Sequence, residues 1–149
     1  MKRACLSLAA ASALALLASA AGAEPPNQSS VSMPTTQLKY RSTGVTDNVH
    51  GEVKAAAAYG DSSHGPHGTF LKMPGGFVSP VHTHSSDEWG VIIAGVFANG
   101  KPGSQDILLP AGSYFLQKAA EPHVSKCVSE NECIIFLSQG GKYDFITAK

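Results

Sequence analysis

Charge is scarce in this sequence. Only 15% of its 149 residues are Asp, Glu, Lys or Arg, and the 11 acidic residues balance the 11 basic ones. So even and weak a charge excludes a basic nucleic-acid binder and an acidic disordered tail, and no nucleic-acid partner is expected. Aromatic residues are also few, at 7% with a single Trp. No stretch carries the apolar period of an amphipathic helix, and no heptad run is present, so helical bundles and coiled coils are excluded. No repeat at a period of about 20–50 residues is visible, which removes solenoids and propellers. Past the N-terminus no apolar run reaches the roughly 20 residues a spanning helix needs.

Turn chemistry, by contrast, is plentiful, with 15 Gly and 9 Pro. Short alternating runs fall at residues 69–73, 77–84, 89–98, 113–117, 123–128, 133–138 and 143–146, and the Ala-rich run 53–59 reads as a further strand. Between them stand Pro74-Gly75-Gly76, Asn99-Gly100, Pro110-Ala111-Gly112, Glu121-Pro122 and Gly140-Gly141. Seven or eight short strands at such spacing predict an all-β sandwich or barrel.

The N-terminus reads as a targeting segment. Lys2 and Arg3 precede an uncharged run of Leu, Ala and Ser, and Ala21-Gly22-Ala23 offers a small-x-small cleavage site. These are the parts of a secretory signal peptide over residues 1–23. A periplasmic or secreted mature protein is expected, with no membrane span after cleavage. Residues 24–36, rich in Pro, Ser, Asn and Gln, read as a short flexible leader. Residues 37–149 then make one domain, large enough to bury roughly two-thirds of its unfolded surface.

Two cysteines remain after the signal, Cys127 and Cys133, flanking a polar turn between two apolar runs. An oxidising compartment permits a disulfide, and opposed positions in a hairpin have suitable spacing. A structural bridge is the expectation; two free thiols packed in a sheet are the alternative.

Six histidines are present. His82 and His84 lie two apart in a run expected to be extended, so they share a face and can reach one ion. Glu88 has the same parity, just past a Ser-Ser-Asp turn. Two imidazoles and a carboxylate suit Fe, Mn, Ni or Zn as a divalent ion with positions left open. A His-x-His pair alone is a weak signal. His64 and His67 sit in the turn-rich stretch 61–68 and read as exposed loop residues; for His67, which opens a strand leading into the motif region, the alternative is a place near the barrel mouth.

A longer pattern strengthens the reading. Gly76, five residues, His82, one residue, His84, three residues, Glu88, six residues and Gly95 resemble the first motif of the cupin superfamily. That resemblance implies a single jelly-roll β-barrel over about residues 53–146. The second cupin motif is incomplete: Pro110-Ala111-Gly112 is present, but Phe115 stands where a histidine is usual. A histidine arrives later, in Glu121-Pro122-His123, which is similar to a subgroup that includes metal-binding domains of anti-sigma factors. By that analogy His123 is the fourth metal ligand. If Phe115 fills the usual ligand slot it faces the interior, and period two then places Ser113 and Gln117 on the same wall as pocket residues.

Export is expected from the signal pattern alone; the resemblance implies one divalent ion held through His82, His84, Glu88 and His123, with a small molecule as substrate or ligand and a homodimer as a family expectation. A small-molecule dioxygenase is the first functional expectation. A non-catalytic, metal-dependent sensor or ligand-binding module is the second. No catalytic residue beyond the metal ligands is assigned, because fold alone does not fix function.

Overall fold

Alternating runs broken by Gly and Pro fold here almost entirely as strands. The computed structural model describes residues 29–147. The expected signal peptide, residues 1–23, and the first part of the leader lie outside them. A 3-10 turn at Thr35–Gln37 leads into β1 (Arg41–Thr46), β2 (Glu52–Gly60), β3 (His67–Met73), β4 (His82–Thr83), β5 (Glu88–Ala94) and β6 (Val96–Gly100). Then follow β7 (Leu109–Pro110), β8 (Tyr114–Gln117), β9 (Val124–Cys127), β10 (Cys133–Gln139) and β11 (Ile146–Thr147). The main sheet has the order β1-β2-β3-β10-β5-β8; β7-β6-β9 and β11-β4 form two smaller sheets. The strand pairings are antiparallel. The described residues from Met33 onward belong to one compact unit.

Several strands differ from the sequence expectation, each for a local reason. β1 and β7 were not anticipated. The run 77–84 is mostly irregular: Val78 makes one bridge to Lys126, and regular pairing is confined to β4. Pro80, which has no N–H to give a ladder, stands in its middle. The run 89–98 splits into β5 and β6 at Gly95, whose φ of 79° is costly for any residue with a Cβ.

Register stacks the inward side chains of the main sheet in rows. His67, Gln139, Glu88 and Gln117 are successive partners across β3, β10, β5 and β8. The next row is Thr69, Leu137, Gly90 and Phe115. Leu71, Ile135 and Ile92 lie beneath it. Phe77 and Phe97 complete the apolar floor with Val53 and Met73. Gly90 is where it is for space, because a Cβ there would stand 2.2 Å from Cε1 of the Phe115 ring. One edge of the sheet is thus a polar row resting on apolar ones.

Cys127 and Cys133 form a disulfide with a Cα–Cα distance of 5.7 Å. They are not hairpin partners. Cys127 ends β9 of the three-stranded sheet and Cys133 begins β10 of the main sheet, so the bridge ties one sheet to the other. Both residues are buried. Closing so short a loop is worth about 2 kcal/mol. Replacing both cysteines by Ala should lower unfolding stability in urea by about that amount. An unchanged midpoint would mean that packing alone holds the two sheets together.

Candidate metal centre

His82 and His123 are brought together by main chain. The amide of each donates to the carbonyl of the other, at 3.1 and 3.0 Å, and the imidazole centroids lie 4.1 Å apart. Such a doubly bonded antiparallel pair places both side chains on one face. His84 follows two residues after His82, and its ring lies 5.0 Å from that of His82. One ring nitrogen from each of His82, His84 and His123 lies within 4.8 Å of the others. Glu88 opens β5, with Oε2 3.3 Å from Nε2 of His84. All four side chains are buried.

The tautomers are set by the backbone. Nδ1 of His82 donates to the Pro80 carbonyl at 2.9 Å, Nδ1 of His84 to the Asp144 carbonyl at 2.6 Å, and Nδ1 of His123 to the Glu121 carbonyl at 3.1 Å. A carbonyl only accepts, so Nδ1 carries the proton and Nε2 is left as a lone pair. Three imidazoles are thus fixed as Nε2 donors in one small volume. Such anchoring of the distal nitrogen is how metal-ligating histidines are oriented. The three imidazoles suit a divalent ion of the Zn, Fe, Mn or Ni kind, whereas Glu88 lies beside His84 and outside the group of ligand atoms that are all within 4.8 Å of one another.

Burial favours the neutral forms of His82, His123 and Glu88. Burial, with His123 and His84 adding repulsion, pushes the His82 pKa down to about 3. Burial likewise lowers that of His123. Glu88 is pushed up by burial, and His84 and His67 pull it partly back. Tyr143, near Glu88, is pushed up to about 12 by burial and by that carboxylate, so its hydroxyl stays protonated.

The cluster opens on a hollow in the barrel with an empty volume of about 560 Å³, mouth included. Its wall is mainly apolar: Phe77, Phe97, Phe115, Ile135 and Leu137 line it with His82, His84 and Glu88. Phe115 therefore faces the interior, whereas Ser113 and Gln117 are not among the lining residues. Gln117 is engaged elsewhere. Its Nε2 donates to the carbonyls of Lys118 and Glu121, and its Oε1 accepts from Asn99. It braces the same Glu121 carbonyl that holds His123. Ser113 uses its main chain to join the 110–113 turn to Ile92. Trp89 and Tyr114 point outward, at 52% and 67% exposure.

Sequence reading missed a second layer. His67 is not an exposed loop residue: it is 2% exposed, and its Nδ1 donates to the carbonyls of Gly65 and Gly141 at 3.0 Å each. His64 does lie at the surface, beside Asp61. The segment from Gly141 to Phe145 supplies the carbonyls for His67 and His84, and the Phe145 ring stacks on His82 at 4.0 Å. Gln139, at 3% exposure, lies in the row between His67 and Glu88. Parity held a signal for two of these. His67 shares the inward parity of Leu71 and Met73, and Gln139 that of Ile135 and Leu137.

Known proteins give the fold a context. The model of a family described as a domain of unknown function (DUF4437) matches residues 36–146. No curated protein matches the chain by sequence. Among solved structures, the polyketide cyclase RemF from Streptomyces resistomycificus aligns with a TM-score of 0.63 at 12% identity, over 81% of this chain and 87% of that one. KdgF from Halomonas sp. aligns with a TM-score of 0.55 at 16% identity, over 72% of this chain and 92% of that one. The anti-sigma ChrR of Rhodobacter sphaeroides, solved with SigE, aligns with a TM-score of 0.53 at 19% identity, over 71% of this chain and 51% of that one. These likenesses show the fold: the chain has the jelly-roll fold of the cupins.

The buried neutral imidazoles carry a pH signature. His82 binds a proton in the unfolded chain below about pH 6.5 but resists it when folded until about pH 3. The unfolded state then holds the extra proton, so stability falls as pH drops through that window. The slope from this residue is at most about 1.4 kcal/mol per pH unit, and His123 acts in the same direction. Glu88, whose pKa burial raises, acts in the opposite direction, so the signature is a difference: between pH 7 and pH 5 the metal-free protein should lose more stability, or gain less, than His82→Asn. Equal losses would mean that His82 takes up its proton without unfolding.

Proposed function

The chain belongs to the family described as a domain of unknown function (DUF4437), and on that footing we propose that it is an exported cupin that holds one divalent metal ion through His82, His84, His123 and Glu88. The observation that carries the reading is the set of three Nδ1–H bonds to main-chain carbonyls, which leaves three Nε2 lone pairs turned to one place. A merely structural histidine cluster has no need to free the same nitrogen three times.

When bound, the ion would act as a Lewis acid or, as Fe or Mn, supply a redox centre for dioxygen chemistry. The chain's own residues do the rest. Phe77, Phe97 and Phe115 exclude water from the hollow, which strengthens every polar contact a small substrate makes there. Glu88 is the one acidic residue lining that hollow among the described residues, so a proton leaving substrate there has Oε2 to go to whenever that oxygen is free of the ion. A small-molecule dioxygenase is the activity this arrangement suits first. A second reading, a non-catalytic metal-dependent sensor or ligand-binding module, draws on the likeness to ChrR.

The test is metal uptake by mature protein recovered from the periplasm of an expression host. Export predicts a mass short by the first 23 residues. The metal-free protein should take up one equivalent of Zn(II) or Fe(II). His82→Ala/His84→Ala should abolish tight uptake, and His123→Ala should weaken it at least tenfold. His67→Ala should leave the stoichiometry at one. Full uptake by the double variant would overturn the assignment. If the Fe(II)-loaded protein binds nitric oxide, it has an open position as an oxygenase requires. A saturated, unreactive ion would favour the sensor.

A further inference from the structure

The inner face of the main sheet continues past the barrel hollow into a wider groove. Its empty volume is about 1190 Å³, mouth included, and Leu71, Leu137 and Tyr143 line both spaces. The charge on its walls is of one sign. Lys39 and Arg41 line it, and among the described residues no Asp or Glu does. Among the described residues neither cation is ion-paired: the paired lysines are Lys72, Lys101, Lys118 and Lys126, and no arginine is paired.

Gln139 lines the same groove. Its side chain is 3% exposed, and its Nε2 is a buried nitrogen with no hydrogen-bond partner among the described residues. A buried amide left in that state destabilises the fold, and native proteins rarely leave one. It is tolerated where the missing acceptor comes from outside the chain. Gln139 is also the strand neighbour of Glu88, so an oxygen held at its Nε2 lies beside the proposed metal centre.

We propose that this groove binds a small organic carboxylate bearing a second oxygen function, with the carboxylate at Arg41 and Lys39 and the second oxygen accepting from Nε2 of Gln139. A guanidinium gripping a carboxylate through paired N–H bonds supplies orientation as well as attraction. The unmet amide adds selectivity, because a molecule lacking the acceptor leaves it unmet. This deepens the metal reading by naming a substrate class, and it rests on that reading for the fate of the bound molecule but not for the binding itself.

The experiment uses the mature protein, 15N-labelled and stripped of metal, titrated with pyruvate and with malonate, and with malonamide as the uncharged control. Pyruvate or malonate should shift the side-chain NH2 resonances of Gln139, and malonamide should not. Gln139→Met should weaken binding at least tenfold while keeping the thermal midpoint equal or raising it, since it removes an unmet amide at similar volume. Arg41→Gln should reduce the preference for malonate over malonamide at least tenfold. Absence of binding, equal binding of the diamide, or indifference to both substitutions would each overturn the proposal. So would a lowered midpoint in Gln139→Met, which would mean that the amide is held by a structural water. Zn(II) uptake by the same variants is measured alongside: retained uptake with lost carboxylate binding separates this groove from the metal site, whose own failure would appear as wild-type protein that binds malonate but no metal.

Discussion

Four buried imidazoles, those of His67, His82, His84 and His123, each give the Nδ1 proton to a main-chain carbonyl. The site depends on these bonds more than on any side-chain pair. A buried imidazole that left Nδ1 unmet would be costly, and one that carried its proton on Nε2 instead would have no lone pair there to present to the hollow. The carbonyls come from turns rather than ladders: residues 65, 80, 121, 141 and 144. Irregular backbone frees those carbonyls, and the sheets hold the turns still. Gln117 serves the same end at one remove by bonding the Glu121 carbonyl that orients His123.

The sheet explains why the polar groups lie together. Period two sends every second side chain inward, and the register lines up His67, Gln139, Glu88 and Gln117 as one row over an apolar floor. The floor provides the burial that makes the row's chemistry unusual. It depresses the protonation of His82, raises that of Glu88, and keeps the Tyr143 hydroxyl neutral. Gly90 is part of this design because it lets the Phe115 ring lie against the sheet. His123 is held beside His82 by the main-chain bridge between them.

Much of this was legible in the sequence. Turn dipeptides marked most strands, the His-x-His pair declared a common face, and the cupin resemblance pointed to His123, which the fold brings beside them. The disulfide partners were readable, but their hairpin was not, because the turn 128–132 crosses between sheets rather than closing one. What stayed hidden has one cause: carbonyl oxygens belong to every residue, so the Gly141–Phe145 segment that anchors two histidines carries no side-chain signal for doing so. His67 was masked by the turn residues around it, although two steps back along the parity of Leu71 would have turned it inward. Gln139 was missed by ending β10 one residue early, at Ser138.

The metal's ligands are read by X-ray absorption at the metal edge of the singly loaded protein. Three imidazole nitrogens and at least one oxygen are expected around Zn(II) at about 2.0–2.2 Å, with the multiple-scattering pattern of histidine falling by one ring in His123→Ala. A shell of oxygens alone, or one unchanged by that substitution, would contradict a three-histidine centre.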